Sequence, residues 1–133
     1  MNVSEFPAIV SLELPSIPEN LTLVRGMLGG VAELLSMDAE LLDDLKTAVS
    51  EAANNVVMHA YAGDPGPLCI ELYVTRSGIE AVVRDEGVGI SEAAPADERL
   101  QGVGVPVMQA LAQRADFRSG ESGGTEVRML FPA

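Results

Sequence analysis

The sequence predicts an α+β fold, a two-layer sandwich in which three helices cover one face of a mixed, mostly antiparallel sheet. One observation is a wide apolar stripe at helical spacing in the middle of the chain. Another is a pair of segments in which two alternating apolar runs flank a glycine-containing turn. The predicted element order is β-α-α-β-β-loop-α-β-β. Because the chain has 133 residues and no linker-like stretch, it is predicted to form a single domain, residues 1–133.

The composition is acidic and globular. The chain has 8 Lys+Arg against 20 Asp+Glu, a formal net charge of −12, and 47% hydrophobic residues. An acidic surface repels phosphate backbones, so we expect no direct nucleic-acid binding. The basic residues are scattered singly, and no apolar stretch of about 18 residues occurs, so we expect no membrane association. A cytoplasmic location is the default expectation, because the N-terminus does not resemble a signal peptide.

The first part of the chain is predicted to form a strand and a helix. Apolar and polar residues alternate over residues 8–14, which is typical of a half-buried strand. Ser16 and Glu19 have the spacing of a capping box, and Pro18 suits the first turn of a helix. We therefore predict a helix that begins at this box and runs to about Leu35.

The second helix has the strongest periodic signal. Asp38 is predicted to cap its start, and the glycines and prolines that follow Tyr61 are predicted to end it. His59 falls on the apolar stripe, so we predict that it packs against the core. The residues of the stripe are Leu41, Leu42, Leu45, Ala48, Val49, Ala52, Ala53, Val56 and Val57.

The remaining elements are two hairpins separated by a loop and a helix. Residues 68–75 and 79–85 form the first predicted hairpin. Residues 86–104 are rich in Gly, Ala, Pro and acidic residues and predict a long loop, which is uncommon in a compact domain unless it is functional. Residues 105–115 predict the third helix. The second hairpin joins residues 116–118 to residues 126–131, with apolar side chains facing inward at Val127, Met129 and Phe131.

Candidate chemistry begins on the second helix. Glu51 and Asn55 are four residues apart, so they lie only about 40° apart around the helix, on the flank of the apolar stripe. An acid and an amide at the border between core and solvent suit a polar cleft. The alternative is an ordinary solvated helix flank. Amide oxygens such as that of Asn55 are ligands that Mg²⁺ accepts alongside water and phosphate.

Two short glycine motifs flank the long loop. Residues 85–89 read Asp-Glu-Gly-Val-Gly at the end of a strand, and residues 102–104 read Gly-Val-Gly at the start of a helix. Either motif alone could form an ordinary turn. Neither is a Walker loop or a dinucleotide fingerprint, because the lysine of the first and the β-α-β context of the second are missing. The amides of residues 102–104 would form an anion site at the helix N-terminus.

Together these motifs resemble those of one ATPase superfamily. Residues 51–60 resemble the N-box of the GHKL, or Bergerat-fold, ATPases, and residues 85–89 resemble the G1 box. Residues 102–105 are similar to the G2 box, and residues 123–125 to the last box. The four occur in the order and spacing of the superfamily, and the resemblance covers about residues 8–131. Within the superfamily, the small size and the sequences around the boxes are similar to the RsbW-type anti-sigma factor serine/threonine kinases.

The resemblance implies the residues that would bind ATP. Asp85 would accept a hydrogen bond from the adenine amino group, and Thr125 would assist it directly or through water. Gly87 and Gly89 would let the backbone approach the base and the sugar. Asn55 would hold Mg²⁺ against the phosphates.

The resemblance also implies a lid and a catalytic base. Glu51 would orient a substrate hydroxyl toward the γ-phosphate, as phosphoryl transfer requires. The lid would comprise about residues 90–104 and would give amides to the phosphates from Gly102, Val103 and Gly104.

Two positions depart from the pattern of related kinases. The nearest lid arginine is Arg99, three residues before the first G2 glycine, and it either contacts the γ-phosphate or is a solvated lid residue. Met58 stands where several members of the superfamily have a basic residue.

The resemblance implies two candidate functions. The first is an ATP-dependent serine/threonine kinase that phosphorylates a STAS-domain anti-anti-sigma factor and sequesters an RNA polymerase sigma factor in partner switching, with a homodimer as the possible assembly. The alternative is an ATP-binding regulatory module that controls a partner without phosphoryl transfer. A sensor histidine kinase is excluded, because the only histidine, His59, lies inside the predicted nucleotide-binding helix.

Overall fold

Five strands in the described part of the chain form one antiparallel sheet. The computed structural model describes residues 7–61, 64–87, 105–119 and 123–132. The sheet has the order β1-β2-β3-β5-β4, and all four of its described strand pairs are antiparallel. The strands are β1 (Val10–Pro15), β2 (Pro67–Thr75), β3 (Gly78–Asp85), β4 (Arg114–Ser119) and β5 (Thr125–Phe131). Within the described residues no strand pair is parallel, and in this detail the sheet differs from the predicted mixed sheet. Strand β5 lies between β3 and β4 and runs antiparallel to both.

Three α-helices in the described residues form the second layer. They are α1 (Asn20–Leu34), α2 (Ala39–Asn55) and α3 (Val105–Leu111), and a π-helical turn (Val56–Ala60) continues α2. The two-layer α+β architecture and the order of the described helices and strands are confirmed, whereas most of the loop predicted at residues 86–104 lies outside the described residues. None of the helices in the described residues is long and apolar enough to cross a bilayer.

The core lies between α2 and the helix-facing side of the sheet. The predicted apolar stripe on α2 is buried from Leu45 to Val56. The inward orientation predicted for Val127, Met129 and Phe131 is confirmed, since each is at most 8% exposed. Helix α2 begins as predicted, because the Asp38 side chain accepts a hydrogen bond from the Leu41 amide at 3.4 Å.

The predicted capping box at the start of α1 is wrong. The helix begins at Asn20, and Glu19 precedes it without a side-chain capping bond. Ser16 Oγ instead accepts the Gly66 N–H at 3.1 Å, and the Ser16 N–H donates to the Gly66 carbonyl at 3.0 Å. The register of β1 with β2 pairs Pro15 with Pro67. The Ser16 hydroxyl therefore lies beside Gly66 and bonds that residue instead of the start of α1.

The π-helical turn changes which side chains face the core. A π-turn contains more residues than an α-turn, so side chains beyond Asn55 rotate away from the positions that α-helical spacing predicts. Ala60 is buried, whereas His59 is exposed. The prediction that His59 packs against the core is therefore wrong.

Helix α3 is shorter than predicted. It ends at Leu111 and not at residue 115, because the chain then joins the sheet. The Gln113 N–H donates to the Leu130 carbonyl at 2.8 Å, and Arg114 pairs with Leu130 in register. Pairing with β5 overrides the local helical pattern at these residues.

Ion pairs cover the sheet face that points away from the helices. Glu126 lies at their centre, 2.9 Å from Arg84 and 3.2 Å from Arg128. Arg84 also contacts Glu71 at 2.8 Å, and Arg128 contacts Glu80 at 3.1 Å. Burial favours the protonated form of Glu126, but the hydrogen bonds and charges of the two arginines outweigh burial and lower its pKa below the ordinary 4.5.

This network predicts a specific acid sensitivity. A carboxyl whose pKa is lowered by folding adds stability above its ordinary pKa, and that stability is lost as the pH falls through the folded value. We expect the melting temperature of the wild type to fall more steeply below pH 4.5 than that of Glu126→Gln. Thermal denaturation between neutral and acidic pH tests this, with Glu33→Gln at an exposed position as the control. Parallel curves for the wild type and Glu126→Gln would contradict it.

Candidate functional site

The predicted site residues that the structure describes lie on α2, β3 and β5. Glu51 and Asn55 are half-buried on α2, and Asn55 is its last residue. Asp85 is the last residue of β3 and Thr125 is the first of β5. The register pairs Asp85 directly with Thr125. The chain therefore brings together two predicted residues that are 40 positions apart in the sequence.

Asp85 and Thr125 both belong to the helix-facing side of the sheet. Side chains alternate along a strand, so Asp85 shares a face with the buried Ala81 and Val83. Thr125 shares a face with Val127 and Met129 in the same way. The core-facing row of side chains on β3 therefore ends with the Asp85 carboxylate, and the row on β5 begins with the Thr125 hydroxyl. Both residues are partly exposed.

Near Glu51, helix α2 contacts both α1 and β3. Ser50 is only 8% exposed, and its Oγ accepts a hydrogen bond from Arg25 Nε of α1 at 3.2 Å. Helix α2 and the π-helical turn both contact β3. These contacts hold the acid and the amide of α2 over the sheet that carries Asp85.

The turn after β3 orients the Asp85 carboxylate. Asp85 Oδ1 accepts the backbone N–H of Gly87 at 2.9 Å. An aspartate that binds the amide two residues ahead forms an Asx turn, which fixes its own side chain. The carboxylate is therefore held by the backbone that follows it.

Two glycines around this turn have no room for a side chain. A Cβ on Gly87 would overlap the carbonyl group of Ala60, at the end of the π-helical turn. A Cβ on Gly124 would overlap the carbonyl group of Asp85, and Gly124 has a φ of +78°. Both glycines thus allow direct backbone contact between segments that are distant in the sequence.

This packing predicts that Gly124→Ala is strongly destabilising. The new methyl group would collide with the Asp85 carbonyl, and alanine disfavours the positive φ, so we expect a loss of about 1–3 kcal/mol in the free energy of unfolding. Chemical denaturation measures this loss. Gly29→Ala is the control, because a Cβ built there in α1 meets no atom from outside its own helical turn within 4 Å. An equal or smaller loss in Gly124→Ala would contradict the described packing.

Tyr61 is a residue of this region that sequence reasoning did not single out. Its hydroxyl donates to the Pro67 carbonyl and accepts the Glu86 N–H at 2.8 Å. A Cβ on Gly66 would overlap the Tyr61 ring, so the ring occupies the space that this glycine leaves. Burial raises the pKa of Tyr61, and the charge of Asp85 adds to this, so the phenol remains protonated at neutral pH. The feature of the sequence that could have indicated Tyr61 is its position directly after the N-box-like segment, residues 51–60.

The other predicted site residues lie outside the described residues. They are Gly89, Arg99, Gly102, Val103 and Gly104, together with the predicted lid at about residues 90–104. Met58, the second position that departs from the motif pattern, is 62% exposed in the π-helical turn.

Comparison with known proteins gives a family match over most of the chain. Residues 14–131 match the model of the histidine kinase-like ATPase domain. A protein named Anti-sigma F factor from Caldanaerobacter subterraneus subsp. tengcongensis is 31% identical over 134 residues, which cover 94% of each chain. The Serine-protein kinase RsbW of Listeria monocytogenes is 39% identical over 79 residues, 59% of this chain and 50% of that protein.

A solved structure shares the fold. A crystal structure of the RsbU and RsbW domains of a Mycobacterium tuberculosis protein aligns with a TM-score of 0.70 and 22% sequence identity. The alignment covers 92% of this chain and 32% of that one, so this chain corresponds to about a third of the larger protein.

Proposed function

Because the chain belongs to the family of histidine kinase-like ATPase domains, we propose that it is an ATP-dependent serine/threonine kinase and anti-sigma factor. The observation that carries the proposal is the direct pairing of Asp85 with Thr125 on the helix-facing side of the sheet. The similarity to an anti-sigma F factor over 94% of both chains supports the anti-sigma role.

Asp85 and its neighbours recognise adenine in this proposal. The carboxylate accepts a hydrogen bond from the adenine amino group, and Thr125 supports it directly or through water. Guanine has a carbonyl oxygen where adenine has the amino group, so an acceptor-only carboxylate selects against it. Gly87 and Gly89 let the backbone approach the base and the sugar.

Asn55 holds Mg²⁺ against the phosphates in this proposal. Asn55 is half-buried, and its single amide oxygen fits the role because Mg²⁺ uses few protein ligands and takes most of its oxygens from phosphate and water. When bound, the ion neutralises charge on the phosphate groups. The backbone amides of Gly102, Val103 and Gly104 donate hydrogen bonds to the phosphates. Arg99, in the proposed lid at about residues 90–104, contacts the γ-phosphate.

Glu51 acts as the general base. It lies one helical turn before Asn55, so an acid stands beside the position proposed for the metal-bound phosphates. Its carboxylate accepts the proton of the substrate hydroxyl as the hydroxyl oxygen attacks the γ-phosphorus, and ADP leaves. A protein that only binds nucleotide has no need of this base.

The proposed partners are a STAS-domain anti-anti-sigma protein and an RNA polymerase sigma factor. The protein substrate provides the serine or threonine that is phosphorylated. The net charge of −12 complements the basic faces of a DNA-binding sigma factor and would speed their encounter. Because RNA polymerase acts in the cytoplasm, the protein works there.

A homodimer is the proposed assembly. Helix α1 leaves Leu23 and Leu34 55% and 79% exposed, on the side of the helix that also carries Gly30. Apolar side chains and a glycine on one face allow a second helix to approach closely. Sedimentation velocity of the wild type and Leu34→Ser tests this assembly.

A phosphorylation assay tests the kinase activity. The purified protein is incubated with labelled ATP, Mg²⁺ and candidate STAS proteins, and mass spectrometry locates the phosphate. We expect transfer to one serine or threonine of a STAS partner. ATP binding without transfer to any of them would instead favour the regulatory module, for which the exposed Met58 in place of a basic residue is the supporting observation.

A further inference from the structure

The turn that carries Asp85 is held from three directions. Gly124 packs on the Asp85 carbonyl, Gly87 packs on the Ala60 carbonyl, and the Glu86 N–H donates to Tyr61 Oη at 2.8 Å. Of these contacts, the last is made by a side chain and joins the turn to the end of the π-helical segment. Tyr61 is therefore a side chain that connects the end of the π-helical turn to the turn after β3.

The Tyr61 hydroxyl is itself fixed. It donates its proton to the Pro67 carbonyl at the start of β2, which leaves its lone pairs to accept the Glu86 N–H. The adjoining Gly66 exchanges two hydrogen bonds with Ser16 and leaves space for the Tyr61 ring. The phenol thus has a single defined position between β2 and the turn after β3.

We propose that Tyr61 is a positioning residue for adenine recognition, which sets the place of the Asp85–Gly87 turn relative to the helix that carries Glu51 and Asn55. The inference rests on the proposed ATP-binding function. Tyr61 touches neither the reacting phosphate nor the acceptor hydroxyl in this account. It acts through the Glu86 amide and the adjacent Asp85.

The effect should therefore fall on nucleotide affinity and not on the transfer step. Tyr61→Phe keeps the ring in the space left by Gly66 and removes only the hydroxyl. The variant loses both hydrogen bonds of the hydroxyl. Loss of the bond from the Glu86 N–H, which positions the turn, corresponds to a rise of about 3- to 10-fold in the Kd of ATP. ADP affinity should fall by the same factor, because the two nucleotides share the adenine, and kcat at saturating ATP should stay close to that of the wild type.

The other tyrosine provides a matched control. Tyr73 donates its hydroxyl proton to Glu71 at 3.1 Å on the face of the sheet that points away from the helices. Tyr73→Phe removes the same hydroxyl group and the hydrogen bond that it donates to the Glu71 carboxylate. A purely structural role of the Tyr61 hydroxyl would lower the melting temperature of Tyr61→Phe, as in the control, and leave the Kd of ATP unchanged.

The experiment measures the Kd of ATP and ADP with Mg²⁺, together with kcat and KM, in the wild type, Tyr61→Phe and Tyr73→Phe. The inference is supported if only Tyr61→Phe weakens both nucleotides and kcat is retained. It is overturned if the wild type binds ATP and Tyr61→Phe binds it equally well. Failure of the wild type to bind ATP would instead refute the proposed function.

If Tyr61→Phe does not fold, hydrogen exchange of the Glu86 amide in the wild type tests the inference instead. The Glu86 amide, bonded to a half-buried phenol, should exchange with deuterium at least about ten times more slowly than an unprotected amide. NMR measures this exchange in the nucleotide-free protein. Exchange of the Glu86 amide at the unprotected rate would overturn the inference.

Discussion

Asp85→Asn is expected to weaken ATP binding by about 10- to 100-fold, because the proposed hydrogen bond from the adenine amino group to the charged carboxylate is lost. The Asn side chain keeps an oxygen that can accept the Gly87 N–H, which in the wild type bonds Asp85 Oδ1 at 2.9 Å. Its NH₂ group would then face the adenine amino group, so two donors would meet. The turn should survive while adenine recognition is lost. Competition binding of ATP and GTP measures both affinity and selectivity.

A change at an exposed aspartate provides the control for this experiment. Asp116→Asn makes the same substitution on β4, where the side chain contacts only the exposed Arg114 among the ion pairs described. We expect its ATP affinity to equal that of the wild type. An Asp85→Asn protein that is folded and binds ATP as tightly as the wild type would remove Asp85 from the adenine site.

Glu51→Gln is expected to slow phosphoryl transfer by about 100- to 10,000-fold while ATP binding is retained. Glutamine preserves the shape of this half-buried side chain but cannot accept the proton of the attacking hydroxyl. The loss should therefore appear in kcat and not in the Kd of ATP. Single-turnover transfer to the STAS partner measures the rate of the chemical step.

Asp43→Asn is the control for the helix itself. It removes one exposed carboxylate from α2 and should leave the transfer rate unchanged. If Glu51→Gln transfers phosphate at the wild-type rate, another group acts as the base. If both variants lose transfer equally, the effect is due to the charge of α2 and not to the chemistry of Glu51.

The predictions that succeeded depended on local patterns. The stripe of α2, the Asp38 cap and the inward-facing residues of β5 follow from periodicity and capping, which neighbouring residues determine. The end of β3 at Asp85 was also predicted from the alternation of the preceding residues. The motif order then identified the family, although no single motif is specific enough to do so.

The features that the sequence did not predict depended on contacts between distant residues or on a break in the α-helical period. Ser16 has the local signature of a cap, yet its hydroxyl binds Gly66, 50 positions away. His59 is exposed because a π-helical turn interrupts the α-helical period after Asn55. Tyr61 is joined to Glu86 only because β2 and β3 pair in the observed register. Such tertiary contacts leave no periodic pattern in the sequence.

In the proposed function, the Asp85 carboxylate, paired with Thr125 across two strands, binds the adenine of ATP. Equilibrium dialysis of the wild-type protein against labelled ATP, with Mg²⁺ in excess, tests it most directly. We predict saturable binding of one ATP per chain, which unlabelled ADP displaces and GTP does not. Absence of saturable ATP binding, or equal displacement by GTP and ADP, would contradict the account.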